Sequence, residues 1–101
     1  MSEKKKVINT NSCIPLPLCV INNQGKIIDA NDHIGDVFIY DAIVDADIFT
    51  LTGIKTAELY AAAADDTHPL LKRNEKVFRL VAYLMGEEPD SDLGIIFNDV
   101  T

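Results

Sequence analysis

The sequence predicts an α+β fold, in which a five-stranded antiparallel sheet carries short helices on one face. Residues 76–85 and 93–101, KVFRLVAYLM and LGIIFNDVT, are rich in the β-branched and aromatic side chains that favour strands. Residues 18–22 and 26–30, LCVIN and KIIDA, flank the turn signal NNQG and predict another hairpin. Helical sequence separates the two hairpins, and this order is typical of α+β domains.

The C-terminal hairpin shows which face of the sheet needs a cover. Its first strand alternates, so Phe78, Leu80, Ala82 and Leu84 share one face. The connecting residues 86–92, GEEPDSD, are turn formers. Because a two-stranded hairpin is not stable alone in water, other strands and a helical layer must complete the structure. The opposite face has its own apolar side chains, which are Val77, Val81 and Tyr83.

The rest of the chain supplies those elements in order. Residues 1–14 are predicted to be an N-terminal arm or linker, and residues 15–101 a single domain. A short helix is predicted around residues 34–38, and a longer one over residues 53–64. A third strand is predicted over residues 70–73. In the longer helix we expect one apolar stripe, formed by Ile54, Ala57, Ala61 and Ala64.

Composition excludes several classes of protein. The net charge of -7 argues against nucleic-acid binding, which needs a basic patch. No apolar run approaches the roughly 20 residues of a membrane helix, and no signal peptide is visible. We therefore expect a cytoplasmic segment without direct membrane contact, whose parent protein is either soluble or membrane-anchored.

The sequence predicts no catalytic centre. Cys13 and Cys19 are too few and too close for a disulfide framework, and Cys19 is expected to be an inert buried thiol. Neither His33 nor His68 is placed beside a nucleophile or an orienting acid. The aspartates fit a solvated surface better than an acid–base pair. We interpret the chain as a non-enzyme.

Two sequence motifs at opposite ends of the domain resemble the PAS family. The segment PLCVINNQGKIIDAN is similar to the opening hairpin of that family, with Gly25 at its turn and Asn31 after the second strand. FNDVT at residues 97–101 resembles its closing signature, where the chain continues into an effector. The resemblance covers residues 15–101 and implies a five-stranded PAS-like sheet and a sensory role in signal transduction.

A narrower resemblance is to the PAS domain of bacterial membrane-bound cyclic-di-AMP phosphodiesterases. It is carried by VFRLVAYLM, a loop and GIIFNDVT. In that family a degenerate GGDEF domain and a DHH-type phosphodiesterase follow the PAS domain, and haem inhibits the enzyme. The resemblance therefore implies haem as a candidate cofactor, and control of an attached phosphodiesterase.

PAS domains share a cavity between helices and sheet, and the resemblance implies one here. Two interpretations are open: the side chains around it fill the core, or they leave a pocket for haem or another flat ligand. The predicted wall consists of Val20, Ile28, Phe49, Leu51, Ile54, Leu59, Ala61, Phe78, Leu80 and Ile96.

The sequence also leaves open the iron ligand of a bound haem and the oligomeric state of the domain. His68 is either an exposed histidine before a proline or the axial iron ligand of a bound haem, and a residue directly before Pro69 fits an inward projection poorly. The apolar sheet face with Val81 is expected to contact the N-terminal arm or a second copy in a homodimer. The alternative to a sensor is a ligand-free interaction and dimerisation module.

Overall fold

The computed structural model describes residues 16–38, 43–73 and 75–101. The predicted arm, Cys13 and Pro15 lie outside these ranges. The α+β prediction is confirmed, with each predicted strand present. The strands are β1 (Leu18–Ile21), β2 (Ile27–Ala30), β3 (Leu70–Arg73), β4 (Lys76–Leu84) and β5 (Leu93–Asp99); a 3₁₀ helix (Asp32–Asp36), α1 (Ile48–Thr52) and α2 (Thr56–Asp65) lie between β2 and β3.

All five strands form one antiparallel sheet in the order β2-β1-β5-β4-β3. The last strand in sequence is therefore central. It pairs with β1, where Leu18 lies opposite Ile96, and with β4, where Leu80 lies opposite Phe97. The two hairpins predicted from sequence become one sheet through β5.

The β1–β2 hairpin turns at Gly25, whose φ of 87° is in the left-handed region that favours glycine. The Asn22 side chain accepts hydrogen bonds from the backbone N–H groups of Gln24 and Lys26, at 3.0 and 2.9 Å. The Gly25 carbonyl then accepts from the Ile48 N–H at 2.8 Å. The turn is thus tied to the start of α1.

Helix α2 packs on the sheet through a different face from the one predicted. Leu59 and Ala62 are its buried residues, whereas Ala57, Ala61 and Ala64 are exposed. Positions three apart share a helix face, so the buried stripe follows Leu59 and Ala62. The prediction that the alanine-rich stripe faces the sheet is therefore wrong. The large apolar side chain of Leu59 determines which face of α2 turns inward.

The hydrophobic core lies between the helices and one sheet face. Aromatic contacts close one end of it: the rings of Phe38 and Phe97 meet edge to face with centroids 5.5 Å apart. The Arg73 guanidinium lies 4.7 Å from the Phe38 ring centroid, and its Nε donates to the Val37 carbonyl at 2.8 Å. Arg73 thereby joins the edge strand β3 to the end of the 3₁₀ helix.

Asn31 is the buried polar residue of the described chain, with 6% of its surface exposed. Its Oδ1 accepts from the Leu18 N–H at 3.1 Å, and its Nδ2 donates to the Leu16 carbonyl at 2.8 Å. Its own N–H donates to the Leu18 carbonyl at 3.0 Å. The side chain therefore satisfies the backbone where β1 begins.

No helix within the described ranges is both long and apolar enough to cross a membrane.

Replacement of Asn31 by alanine should destabilise the domain by about 1–3 kcal/mol, because the buried Leu18 N–H loses its acceptor. Urea unfolding followed by circular dichroism measures this loss. Asn23→Ala is the matched control, since Asn23 is exposed in the turn, and it should change stability by less than about 0.5 kcal/mol. Equal effects of the two substitutions would contradict the role given to Asn31.

Candidate functional site

Five of the ten predicted wall residues meet between the helices and the sheet. Leu59, Phe78 and Leu80 are buried in one continuous cluster, and Leu51 and Ile54 pack against it half-buried. Leu80 and Leu59 have no exposed surface, and Phe78 only 2%. In the described residues these positions form a packed core, which is the first of the two interpretations left open by the sequence.

Three predicted wall residues point away from this core. Ile28 is 42% exposed because a bulge in the β1–β2 pairing inserts it between the partners of Val20 and Ile21, and Ile27 takes the inward position. Phe49 is 47% exposed because the short helix α1 buries Ile48 instead. Ala61 is exposed on the outer side of α2. Their assignment to the wall is wrong.

The remaining two predicted residues lie on the other sheet face. Ile96 alternates with Ile95 and Phe97, which are fully buried in the core, so Ile96 points the opposite way and is half-buried. Val20 is 5% exposed but alternates with Cys19 and is not part of the core cluster. The wall assignment was therefore one residue out of register on both strands, which exchanges the two faces.

Sequence reasoning missed several core residues for identifiable reasons. Ile95 and Phe97 are the inward residues of β5, but LGIIF has no clear alternation because both faces of this central strand are apolar. Ile43 lies in the aspartate-rich segment before α1 and Ile48 is the first residue of α1, in a part of the sequence where the helical pattern is weak. The periodicity around Leu59 and Ala62 was the one signal that would have found the inward face of α2.

A groove of about 380 Å³ runs beside the core, between α2 and the segment leading into β3. Glu58 and Ala62, four residues apart on α2, and Ile54, just before this helix, form one side of the groove. Its other side is the extended segment 67–70. The residues that line this second side are Thr67, His68, Pro69 and Leu70.

The ionisable side chains that line the groove are Glu58 and His68. Glu58 Oε1 accepts from the Lys55 N–H at 3.0 Å, which holds the carboxylate near the start of α2. The His68 side chain is 35% exposed, and its Nε2 lies 3.5 Å from Asp66 Oδ1. His68 therefore lies at the groove and not within the core. Its predicted role as a ligand remains a prediction.

Metal ligation by several protein groups has no support in the part of the chain that is described, where no three His, Cys, Asp or Glu side chains converge. Cys19 is fully buried, and burial raises the pKa of its thiol to about 12. A thiol that stays protonated at neutral pH is a poor nucleophile and metal ligand. The prediction that Cys19 is buried is confirmed.

The loop between β4 and β5 is attached to α2. The Tyr60 hydroxyl donates to the Ser91 carbonyl at 2.6 Å. Partial burial, together with the nearby carboxylates of Asp92 and Asp90, raises the pKa of Tyr60. The hydroxyl therefore stays protonated and able to donate throughout the physiological pH range.

The end of the chain is also attached to the sheet. Thr101 Oγ1 accepts from the Val77 N–H at 2.8 Å, and the Thr101 N–H donates to Asp99 Oδ1 at 3.0 Å. Hydrogen bonds from the side chain and backbone of Thr101 lower the pKa of Asp99, with a smaller contribution from Lys76. The last residues thus continue β5 alongside β4.

This architecture matches known structures. It superposes on the PAS domain of an HTR-like protein from Haloarcula marismortui with a TM-score of 0.65 and 10% identity, covering 99% of this chain and 100% of that one. For a PAS domain from Desulfitobacterium hafniense the TM-score is 0.68 and the identity 18%, over 91% and 99% of the two chains. A sensory box sensor histidine kinase from Vibrio cholerae gives 0.58 and 14%, over 99% and 94%.

The chain has the PAS fold. Identities below 20% establish a shared fold and leave the ligand and the effector to be determined from the residues themselves. No family model matches the sequence, and no curated protein matches it either. The PAS fold places the core cluster and the α2–β3 groove on the helix side of the sheet.

The two aromatic residues assigned to the wall offer a direct test of the core. Phe78→Ala should cost about 3–5 kcal/mol, because Phe78 is 2% exposed and the substitution leaves a cavity. Phe49→Ala is the matched control and should cost less than about 0.5 kcal/mol, since Phe49 is 47% exposed. The free energy of unfolding of both variants is measured by urea unfolding. A larger loss of stability for Phe49→Ala than for Phe78→Ala would show that Phe49, and not Phe78, is the buried residue.

Proposed function

We propose that this chain is a regulatory sensory module of a signal-transduction protein and carries no catalytic activity itself. The observation that supports this most is the position of β5. Its inward residues Ile95 and Phe97 lie in the core. The strand ends at Asp99, and Thr101, two residues further on, is hydrogen-bonded to β4. A ligand that shifts β5 against β4 would therefore act on the C-terminal end of the domain.

The structural neighbours support the sensory part of this proposal. One of them is described as a sensory box sensor histidine kinase, and two others as PAS domains. The non-catalytic part is supported by the placement of the histidines. His33 is exposed on the 3₁₀ helix, and His68 has a carboxylate neighbour but no nucleophile beside it among the described contacts.

The finer proposal concerns the effector and the ligand. The resemblance of residues 77–101 to cyclic-di-AMP phosphodiesterases makes such an enzyme the proposed effector, attached to this domain in the parent protein. Haem is the proposed ligand. When bound, haem would supply an iron that takes an imidazole or an exogenous small ligand.

Two regions of the described structure differ in how well they would accommodate a haem. The inner face fits it poorly, because Leu59, Leu80 and Phe97 are fully buried against one another. The α2–β3 groove fits better, because His68 presents a partly exposed imidazole beside apolar Ile54 and Pro69. We therefore place the proposed ligand at the groove, where His68 would hold the iron.

Hemin titration of the purified domain, followed by the Soret band, tests this placement. We expect a saturable shift at micromolar protein that His68→Ala weakens at least about tenfold, because the iron loses its imidazole ligand. His33→Ala is the matched control and should leave the titration unchanged. Absence of a saturable shift would remove haem and leave the sensory proposal with another ligand. A shift that survives His68→Ala would show that His68 is not the ligand.

A ligand-free interaction and dimerisation module is the second candidate. The filled core favours it, as does the sheet face away from the helices, where Val81, Tyr83 and Ile96 are half-buried. Burial, and to a smaller extent Cys19, raises the pKa of Tyr83, whose ring lies against Gly94. This mostly neutral surface suits contact with a second copy.

Sedimentation of Val81→Lys tests the homodimer. A charge placed in an apolar contact should weaken self-association at least about tenfold, so the dimer that we expect at high concentration should become a monomer. Val44→Lys is the matched control, because Val44 is 47% exposed and is not part of the sheet. A monomer for all three proteins would rule out the dimer, and an equal effect of Val44→Lys would place the contact elsewhere.

A further inference from the structure

The outer edge of β3 offers backbone hydrogen-bonding groups. The Leu80 N–H donates to the Pro69 carbonyl at 2.8 Å, and the register places Leu71 opposite Phe78 and Lys72 opposite Val77. Because bonding alternates along an antiparallel pair, the backbone groups of Leu70 and Lys72 point away from β4. Within the described residues no strand lies along that edge.

The edge and the α2–β3 groove adjoin each other. Leu70 ends one side of the groove and begins β3, and its side chain is 61% exposed, more than any other large apolar side chain described. A strand laid along β3 would send alternate side chains toward α2 and into the groove. There they would meet Ile54, Glu58 and Ala62.

The charges on the two faces of this edge differ at its Leu70 end. On the helix side the groove there is lined by Glu58 and by no lysine or arginine, and the Arg73 guanidinium at the other end of β3 is turned to Phe38 and the Val37 carbonyl. On the other face of β3, Lys72 is exposed beside Leu70. A complementary strand therefore carries a basic side chain toward α2 and apolar or acidic side chains on its other face.

We propose that the β3 edge and the α2–β3 groove together bind an extended segment of a partner protein, which adds to the sheet as a sixth strand. Its main chain bonds to the backbone of Leu70 and Lys72, and its basic side chain pairs with Glu58. Backbone hydrogen bonds supply affinity in this mode, and alternate side chains supply specificity.

The proline at the start of the edge does not prevent this pairing. Pro69 faces β4, so the donor it lacks is missing from the internal ladder and not from the outer edge. The strand has only four residues, and short edges limit uncontrolled association. The structure thus suits a reversible contact with one short segment and not a large permanent interface.

Fluorescence anisotropy with a dye-labelled synthetic octapeptide tests the proposal. The peptide alternates threonine and valine and has lysine in place of one central threonine, so its valines lie on the face opposite the lysine. Its sibling has glutamate at that position. The lysine peptide should bind the domain, and the glutamate peptide should bind roughly tenfold more weakly, because one pairing is attractive and the other repulsive.

Two variants locate the contact. Glu58→Gln keeps an acceptor for the Lys55 N–H and should weaken the lysine peptide by about two- to fivefold. Glu87→Gln, in the exposed β4–β5 loop, is the matched control and should have no effect. Lys72→Pro removes an outward N–H that the β3–β4 ladder does not use, and should weaken binding at least about tenfold. Lys72→Ala controls for the lost side chain.

A peptide with methylated backbone nitrogens at alternate positions repeats the edge test without altering the protein, should Lys72→Pro not fold. Loss of binding upon methylation of one alternate set supports strand addition. Equal affinity for the lysine and glutamate peptides, or no effect of Glu58→Gln, overturns the assignment of Glu58. Binding that survives both Lys72→Pro and methylation, or no binding of the lysine peptide at millimolar concentration, overturns strand addition. These measurements use no haem, so they fail or succeed separately from the ligand proposal.

Discussion

The pairing of β5 with β1 on one side and β4 on the other is the contact on which the rest of the structure depends. Each hairpin alone is short, and neither can bury its apolar face. When β5 joins them, Cys19, Leu80 and Ile95 come onto one face, which the helices cover. The hydrophobic burial and the long-range order of the domain therefore arise in the same step.

Two polar contacts keep the periphery in register with this central strand. Asn31 satisfies the backbone at the start of β1, where an open donor would be buried. Arg73 reaches from the edge strand to the Val37 carbonyl and stacks on Phe38, which in turn contacts Phe97 of β5. Both ends of the sheet are thereby attached to the 3₁₀ helix and the residues around it.

This arrangement separates the packed interior from the surfaces where binding takes least rearrangement. The inner face of the sheet is filled by side chains of the domain itself, so a ligand there would have to displace them. The α2–β3 groove, the β3 edge and the outer sheet face are already accessible to different degrees. The proposed regulatory role is therefore best served by recognition at the side of α2, with the central strand connecting that region to the C-terminal residues.

The sequence by itself determined the order of strands and helices, the antiparallel pairing and the PAS resemblance. It did so because alternation in β4, the turn around Gly25 and the closing FNDVT are local patterns. It also placed Phe78 and Leu80 correctly, since both belong to a strand with a clear apolar alternation.

Only the tertiary structure decided which face β5 and α2 turn inward. In β5, Ile95 and Ile96 are equally apolar, so the register with β1 and β4 chooses between them. A bulge in β2, opposite β1, turns Ile28 outward. No residue in the segment KIIDA predicts this bulge. The α2–β3 groove likewise depends on the tertiary structure. The chain reverses direction at Asp66, just after α2, and this brings residues 67–70 alongside residues 54–62. Local sequence reports period and propensity, whereas the choice of face depends on partners that are distant along the chain.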